Sequence, residues 1–351
     1  MNSAPAVSFT ILILFSLGFL GCSSDSGNSG TAPPVEFSSP IDVLNSHLGR
    51  GVNLGNALES PPGESWGVEL EESFFDLIQS VGFNSVRIPA KWSGYTEEEL
   101  PYHIDSSFFY TVDWTIDMII SRGMLAIINI HHFDEIVEDP IGQLPRLLAI
   151  WDQIAHHYQD YPEELVFEIL NEPHDQLTAN LWNDYLAQAL AVIRQTNPDR
   201  AVMVGTANWG GISALASLQL PEDDALIVTF HYYEPFQFTH QGANWVSGSD
   251  AWLGMTWTAG IEQRQAVMAD LDLVANWALE HQVPVNMGEF GSFSAADINS
   301  RATWTEFVAR QAEARGFSWA YWEFCSGFGV YDRDSASWIE PLLDALIPAD
   351  D

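Results

Sequence analysis

The chain of 351 residues is 47% apolar, enough to build a sizeable core in one large domain or two small ones. It carries 48 acidic residues against 12 basic ones, a formal net charge of −36 at pH 7. A surface of this sign repels nucleic acid and anionic lipid, which argues against both as partners, whereas a neutral substrate is not repelled.

The N-terminal segment has the pattern of an export signal. Residues 7–21 form an apolar run that is too short to span a bilayer, and Cys22 follows it. We therefore predict that 1–22 is an export signal of the lipoprotein type with Cys22 lipidated, simple cleavage being the alternative. The protein would be secreted or held at a bacterial cell surface or outer membrane, with that lipid as its only membrane contact. Residues 23–40 are rich in Ser, Gly and Pro and predict a flexible tether before a folded domain at 41–351.

Only one other cysteine is present in the chain. If Cys22 is lipidated, Cys325 stands alone, which rules out an internal disulfide and a cysteine-based metal site. Because it follows an apolar strand, Cys325 is predicted to be a small buried hydrophobic residue.

From Ile41 onward, apolar runs alternate with segments of helical period. The runs are typical of fully buried parallel strands and lie at 51–56, 85–90, 125–132, 165–173, 201–206, 225–233, 284–291 and 316–324. The predicted helices lie at 69–81, 106–122, 141–158, 179–196, 212–218, 260–281, 297–314 and 337–346. Eight alternating strand–helix units predict an α/β fold of the closed (β/α)8 TIM barrel type rather than a doubly wound open sheet. No GxGxxG motif follows the first strand, which weakens a dinucleotide-binding alternative.

Polar and aromatic side chains are concentrated where the predicted strands end. Glu172 follows Asn171 at the end of the fourth strand, and Glu289 lies at the end of the seventh. Further examples are Asn56, Arg87, His131, His132, His231, Tyr233 and Trp322. In such a barrel the C-terminal ends of the strands converge on the face that carries the chemistry. Since a buried carboxylate is costly without a partner, the pair predicts acid–base and nucleophilic chemistry.

Seven segments in order resemble glycoside hydrolase family 5, the retaining cellulase-like (β/α)8 hydrolases: GVNLGNALE, NSVRIP, INIHH, LNEP, FHYYEPFQFTHQGANW, MGEFG and WAYWEF. The resemblance extends from about Leu48 to the end of the chain. It implies that Glu172 is the general acid/base and Glu289 the nucleophile that forms a glycosyl-enzyme ester. For retention, the two carboxyl groups should lie roughly 5–5.5 Å apart.

The resemblance also implies roles for residues around the nucleophile. Arg87 would donate hydrogen bonds near Glu289 and keep it ionised, and Tyr233 would donate its hydroxyl to the same carboxylate. Asn171 would hold the sugar hydroxyl adjacent to the anomeric carbon, a contact that strengthens in the transition state.

Two histidines and a tryptophan complete the predicted site. His131 and His231 would position Glu172, the nucleophile network or sugar hydroxyls. Alternation along the strand allows only one of His131 and His132 to point inward, and we favour His131. Trp322 would form the flat apolar platform for the sugar at the cleavage subsite, ordinary barrel packing being the alternative.

The segment 234–245 after the sixth strand resembles a cleft-wall loop of this family. A long loop over the active face is a reasonable substrate wall, in which His240, Gln241 and Trp245 could contact sugar. The alternative is a solvent-exposed crossover. Weaker tryptophan candidates for sugar contact are Trp92, Trp209 and Trp245.

Alternative functions remain open at this point. A metalloenzyme could use His131, His132, His174 and His231, but no HExxH or comparable ligand spacing occurs, so neither metal nor cofactor is predicted. A catalytically inactive surface polysaccharide-binding protein would keep the cleft but lose one carboxylate, and both are present. As a hydrolase, the protein is expected to cleave β-1,4 bonds of cellulose-type or mixed-linkage β-glucan in an endo fashion. β-Mannanase or xyloglucanase activity is the alternative on the same scaffold.

Overall fold

Eight parallel strands close into a barrel in the computed structural model, which describes residues 38–349. Strands β1 to β8 are Arg50–Asn53, Ser85–Ala90, Leu125–Ile130, Leu165–Glu168, Val202–Gly205, Leu226–Tyr232, Val285–Phe290 and Ser318–Tyr321. Each strand pairs in parallel with the next, and β8 returns to β1. The predicted (β/α)8 TIM barrel is confirmed, and each predicted strand is present.

Helices surround the barrel. Helices α1 to α11 are Pro40–Leu48, Glu72–Ser80, Ser106–Ile120, Asp134–Glu138, Pro140–His157, Ala179–Ile193, Ala207–Gly210, Phe236–Thr239, Ile261–His281, Ile298–Glu313 and Glu340–Leu346. Short 3-10 segments lie at Trp92–Tyr95, Ile212–Ser217 and Ser249–Trp252. The main core is a continuous apolar layer between sheet and helices, which buries large side chains such as Trp151, Trp182 and Trp304. This layer fixes the strands, and the strands position the side chains at their ends.

Two predicted helices differ from the structure. The segment predicted as a helix at 212–218 is a 3-10 turn at Ile212–Ser217. The last helix begins at Glu340, later than predicted, because Ser337–Trp338 forms a strand, β10, paired antiparallel with β9 at Tyr331–Asp332. At Ser337–Trp338 the apolar pattern is too short to distinguish a helix from a strand, and backbone pairing with β9 makes the segment a strand.

Helix α1 precedes the first strand and is one of the helices that the apolar pattern does not predict. Ser39 and Asp42 form a capping box at its start, and the helix begins at Pro40, next to the predicted domain boundary at residue 41. Asn45 is buried on this helix; its Nδ2 donates to the carbonyl of Val285 at 3.1 Å, and its Oδ1 accepts from Ser318 Oγ at 2.7 Å. Helix α1 thereby closes the N-terminal end of the barrel.

A second apolar cluster lies under that closure. Ile41 and Leu48 of α1 pack with inward side chains of four strands, including Ile127, Val166 and Met203. The barrel is therefore filled at its N-terminal end, and its opposite end is left for polar side chains.

Some predictions fall on residues that the structure does not describe. The export signal at 1–22 and residues 23–37 of the tether lie outside the described range. Within 38–349, no helix is long and apolar enough to cross a membrane. Cys325 is free and 5% exposed, which confirms its predicted burial.

We expect Asn45→Ala to lower the free energy of unfolding by about 1–3 kcal/mol. The substitution leaves the buried Val285 carbonyl and Ser318 hydroxyl without their Asn45 hydrogen bonds. Urea unfolding followed by tryptophan fluorescence would measure the change. Ser46→Ala, on the exposed side of the same helix, is the control and should stay within about 0.5 kcal/mol of the parent. Equal effects of the two substitutions would contradict the closure by α1.

Candidate active site

A cleft of about 780 Å³ opens at the C-terminal ends of the strands. Its lining includes five of the predicted site residues: His131, Glu172, Tyr233, Glu289 and Trp322. The other three, Arg87, Asn171 and His231, are buried next to the cleft: Arg87 donates to Glu289 and to Asn171, and His231 bonds to Glu172. The structure therefore brings all eight residues into one connected group.

Arg87 on β2 is the centre of that group and is fully buried. Its guanidinium binds Glu168 in a bidentate manner, with both contacts at 2.7 Å. Nη1 donates to Glu289 Oε1 at 2.7 Å and to Asn53 Oδ1 at 2.9 Å, and Nη2 donates to Asn171 Oδ1 at 2.8 Å. Burial opposes its charge, but Glu168 and Glu289 raise the pKa of Arg87 further above its ordinary value. One buried cation thus orients two carboxylates and two amides.

Glu289 receives a donor on each carboxylate oxygen. Arg87 donates to Oε1, and the Tyr233 hydroxyl donates to Oε2 at 2.9 Å, so both contacts expected from the sequence are confirmed. Burial and the charge of Glu289 raise the pKa of Tyr233 well above its ordinary value, so the phenol keeps the proton that it donates. Burial also raises the pKa of Glu289, with Glu172 adding to the effect and His231 and Arg87 opposing it.

Glycines on both sides of Glu289 allow close backbone approach. A Cβ on Gly288 would lie 2.5 Å from Thr229 Oγ1, and one on Gly291 would collide with the Trp322 carbonyl oxygen. The register of β7 shifts against both neighbouring strands in this region. Such irregularities re-aim a side chain, here that of Glu289.

His231 lies between the two carboxylates. Its Nδ1 is 2.7 Å from Glu172 Oε1 and 3.5 Å from Glu289 Oε2. Burial acts against its charge, but Glu289 and Glu172 together raise the pKa of His231. Burial likewise opposes ionisation of Glu172, yet the hydrogen bond from His231 lowers the pKa of that carboxyl. The imidazole therefore lies where a proton on Nδ1 can be shared with Glu172 and can interact with Glu289.

Glu172 lies just beyond β4 and has a left-handed backbone, with φ 46°. Its side chain is 25% exposed, against 6% for Glu289. One oxygen of each carboxylate lies within 4.8 Å of the other, so the two groups are close enough to act on one glycosidic bond, as the short carboxyl separation of retaining glycosidases requires. The more exposed carboxylate can reach a leaving group or a water, and the more buried one is fixed in place.

The prediction that only one of His131 and His132 faces inward is wrong. Strand β3 ends at Ile130, and His132 has φ 50°, so strand alternation no longer applies. Both rings line the cleft, in edge contact at 4.5 Å between centroids. Burial lowers the pKa of both histidines, which are therefore neutral polar groups near pH 7.

The tryptophan candidates for sugar contact differ in whether they line the cleft. Trp322 lines the cleft, and its ring is parallel to that of His131 at 5.8 Å. Trp245 also lines the cleft and is 59% exposed, whereas Trp209 is 52% exposed beside His174. Trp92 is fully buried among core aromatics, so its candidacy for sugar contact is wrong.

Two candidate residues of the loop at 234–245, His240 and Gln241, also differ in whether they line the cleft. His240 lines the cleft, and burial lowers its pKa to about 4. Gln241 is fully buried and bonds to backbone groups of Phe238, Gly254 and Met255. Its predicted sugar contact is therefore wrong, because its amide braces the loop from within.

Three acidic residues in the site, Glu59, Glu168 and Glu323, escaped the sequence prediction. Glu168 is the bidentate partner of Arg87. Its position as a charged residue inside an apolar strand could have identified it from the sequence. Glu59 is 1% exposed, and its Oε2 is 3.8 Å from His131 Nε2 with no hydrogen-bond partner among the described residues. Burial raises the pKa of Glu59 well above its ordinary value, which favours the neutral form of this carboxyl at the cleft.

The four histidines proposed for a metalloenzyme do not form one cluster. Within the described residues, the groups whose ligand atoms lie close together are Glu59 with His131 and His132, and Glu172 with His231 and Glu289. His174 belongs to neither group, since its ring contacts the Glu172 carbonyl and Trp209.

A (β/α)8 barrel with two carboxylates at this spacing in its cleft is typical of retaining glycoside hydrolases. The family model described as cellulase (glycosyl hydrolase family 5) matches residues 48–327. The chain belongs to glycosyl hydrolase family 5.

Individual relatives agree with this family. Endoglucanase H of Acetivibrio thermocellus is 36% identical over 90% of this chain, which spans 35% of that protein's length. The structure of endoglucanase Cel5A from Thermotoga maritima has a TM-score of 0.86 and 48% identity, covering 88% of this chain and 99% of that one. A structure of that Cel5A in complex with mannotriose gives 47% identity, the same TM-score, and coverage of 88% and 100%.

We expect Arg87→Met to destabilise the protein by about 3–5 kcal/mol, because it leaves two buried carboxylates without their cation. Arg122→Met is the matched control: Arg122 also pairs with two acids, Glu72 and Asp76, whose side chains are 69% and 68% exposed. Its loss should cost less than about 1 kcal/mol. Chemical denaturation of both variants would make the comparison, and similar costs would contradict a central role for Arg87.

Proposed function

We propose that this protein is a retaining, endo-acting glycoside hydrolase that cleaves β-1,4-glucosidic bonds in cellulose-type or mixed-linkage β-glucan. The observation that carries the proposal is the pair Glu172 and Glu289, with oxygens within 4.8 Å and His231 between them. Membership of glycosyl hydrolase family 5 and the endoglucanase names of the relatives support the choice of reaction.

In this proposal Glu289 is the nucleophile. Its two oxygens are oriented by Arg87 and Tyr233, which favour the ionised form against the effect of burial. Attack on the anomeric carbon forms a glycosyl ester and breaks the glycosidic bond. Asn171 commits its Oδ1 to Arg87, so it offers the sugar only its Nδ2 donor.

Glu172 is the acid/base, and His231 supplies its proton. Before attack, the two carboxylates keep the proton on His231. As Glu289 bonds to the anomeric carbon it loses its negative charge, and with it part of the attraction that holds that proton. In the same step the proton passes from Nδ1 through Glu172 to the leaving oxygen as the glycosidic bond breaks, so that the departing sugar leaves as a neutral alcohol. In the second step, Glu172 takes a proton from water, which attacks the ester, and His231 recovers its proton.

β-Mannan is a second candidate substrate. The Cel5A that shares the fold at 47% identity has been solved in complex with mannotriose, as well as with cellobiose at 48% identity. Glucose and mannose differ in the orientation of the C2 hydroxyl, next to the reacting carbon. A cleft that accepts both orientations there would act on both polymers.

Product analysis on four polymers tests the function. The purified protein is offered carboxymethylcellulose, barley mixed-linkage glucan, xyloglucan and galactomannan, with Glu289→Gln as the inactive variant and the exposed Glu280→Gln as its control. Short oligosaccharides from the first two polymers, first released as the β-anomer by NMR, would support the proposal. Cleavage of galactomannan alone would move the substrate to mannan, and silence on all four would favour a sugar-binding protein.

Glu172→Ala should separate the two steps on an aryl cellobioside. A nitrophenolate leaving group needs no proton, so the ester should form quickly, and hydrolysis should then be slow without a base. Stopped-flow absorbance would show a burst of nitrophenol close to one equivalent per protein. A slow release without a burst would count against the acid/base role.

The pH dependence follows from the two raised pKa values, of Glu289 above 4.5 and of His231 above 6.5. Activity should fall as the pH drops through the pKa of Glu289, which must be ionised, and as it rises through that of His231, which must be protonated. The profile of kcat/KM should be a bell with both limbs above these ordinary values. In His231→Asn only Glu172 can hold the proton, so the alkaline limb should move to lower pH. An unmoved limb would exclude His231 as the proton source.

We also propose that the protein is exported and lipidated on Cys22, on the strength of the apolar run at 7–21 and the Ser/Gly-rich segment after it. In a bacterial host, Cys22→Ser should move the protein from the membrane fraction to the soluble fraction. Unchanged fractionation would favour simple cleavage.

A further inference from the structure

We propose that Glu323 is a positioning residue for the reaction, because its buried carboxylate holds the loop at 322–330 in the shape that supports the nucleophile. This inference rests on the proposed hydrolase function and adds to it a residue that acts through the wall of the cleft. The loop connects β8 to β9. Its residues in the lining of the cleft include Ser326, Gly327 and Phe328.

The carboxylate of Glu323 accepts hydrogen bonds from the backbone of its own loop. The residue is 1% exposed. Oε2 accepts from the N–H of Cys325 at 2.9 Å and from that of Ser326 at 2.8 Å. Oε1 accepts from the N–H of Ser326 at 2.8 Å and from that of Phe328 at 3.0 Å. Converging backbone N–H groups form a site for a negative charge, so the ionised carboxylate fits this turn better than the neutral acid.

The Phe328 carbonyl, in contrast, is held from outside the loop. Arg301 on α10 donates to it through Nη2 at 3.0 Å, and the Tyr321 hydroxyl on β8 donates to the same oxygen at 2.8 Å. These two donors fix one side of the Phe328 backbone. Its other side, the N–H group, is held by Glu323. The orientation of the Phe328 side chain therefore depends on that carboxylate.

The ring of Phe328 connects the loop to the nucleophile. It contacts the ring of Tyr233 at 6.2 Å between centroids, with an interplanar angle of 64°. The Tyr233 hydroxyl donates to Glu289 Oε2 at 2.9 Å. The Phe328 ring also contacts His240 at 5.5 Å and Trp245 at 6.1 Å. A displaced Phe328 would therefore disturb the donor on one oxygen of the nucleophile and two further side chains of the cleft wall.

The surroundings of Glu323 determine the pH at which its carboxylate becomes ionised. Burial raises its pKa to about 7, against the effect of the backbone N–H groups and of Arg333. Burial also raises the pKa of Glu59, after β1, and Glu323 adds to this effect. The Cys325 thiol and the Tyr321 phenol stay neutral near pH 7, because burial raises the pKa of each. As the pH rises through about 7, Glu323 therefore becomes able to accept on both oxygens.

Glu323→Gln tests this role, because the amide resembles the protonated acid in having one accepting oxygen and one donor group. On barley mixed-linkage glucan, which is uncharged, kcat/KM of the variant should be about ten-fold below that of the parent at about pH 8. The ratio should approach one at about pH 5.5, where Glu323 of the parent is itself protonated. Glu280→Gln, at an exposed position of α9, should give a ratio of one at both pH values. A ratio for Glu323→Gln that does not change with pH would overturn the proposal while leaving the hydrolase intact.

Phe328→Ala tests the contact with Tyr233 and does not require Glu323→Gln to fold. Without the Phe328 ring, the shape of the loop no longer affects Tyr233. The fall in kcat/KM that protonation of Glu323 causes near pH 7 in the parent should therefore be absent, and the acid limb should be that of Glu289 alone. A fall of the same size near pH 7 in Phe328→Ala would overturn the proposal.

Near-UV circular dichroism separates the loop from the reaction. If the parent protein cleaves none of the polymers, the proposed function fails, and the spectrum then decides on Glu323. Because Trp245 contacts Phe328, a change in the loop should alter the tryptophan signal. A transition near pH 7 is expected in the parent and not in Glu323→Gln. Identical transitions in the two proteins, or none in either, would overturn the positioning role.

Discussion

The active face depends on one buried cation. Arg87 on β2 connects β2 with β4 and β7, because its guanidinium donates hydrogen bonds to Glu168, Asn171 and Glu289 together. A guanidinium suits this position because its donors form a planar fork, which a lysine ammonium cannot reproduce. Most of its contacts are to groups that never line the cleft. Arg87, whose charge acts on Glu289, is thus itself held in place by Glu168, whose charge only positions Arg87.

The different surroundings of Glu172 and Glu289 give the two carboxylates different roles. Glu289 is nearly enclosed, with a donor on each oxygen, and flanking glycines admit the backbone that presses around it. Glu172 is more exposed and has His231 as its side-chain partner. Similar side chains therefore acquire different reactivities, because one is fixed and the other can exchange protons through its neighbour.

The sequence predicted the barrel because each parallel strand is buried on both faces and forms an uninterrupted apolar run. It predicted the strand-end residues because that topology brings strand ends together. It missed α1, whose nine residues form an apolar pattern too short to predict a helix and which is held by a capping box, by Asn45 and by the packing of Ile41 and Leu48. It could not foresee that Gln241 turns inward or that His132 leaves the strand conformation, since loop backbone angles decide both.

Helix α1 has a consequence for orientation. It covers the N-terminal end of the barrel, where Asn45 bonds to the first residues of β7 and β8, and the cleft opens at the other end. The polypeptide therefore enters the folded domain on the side facing away from the substrate.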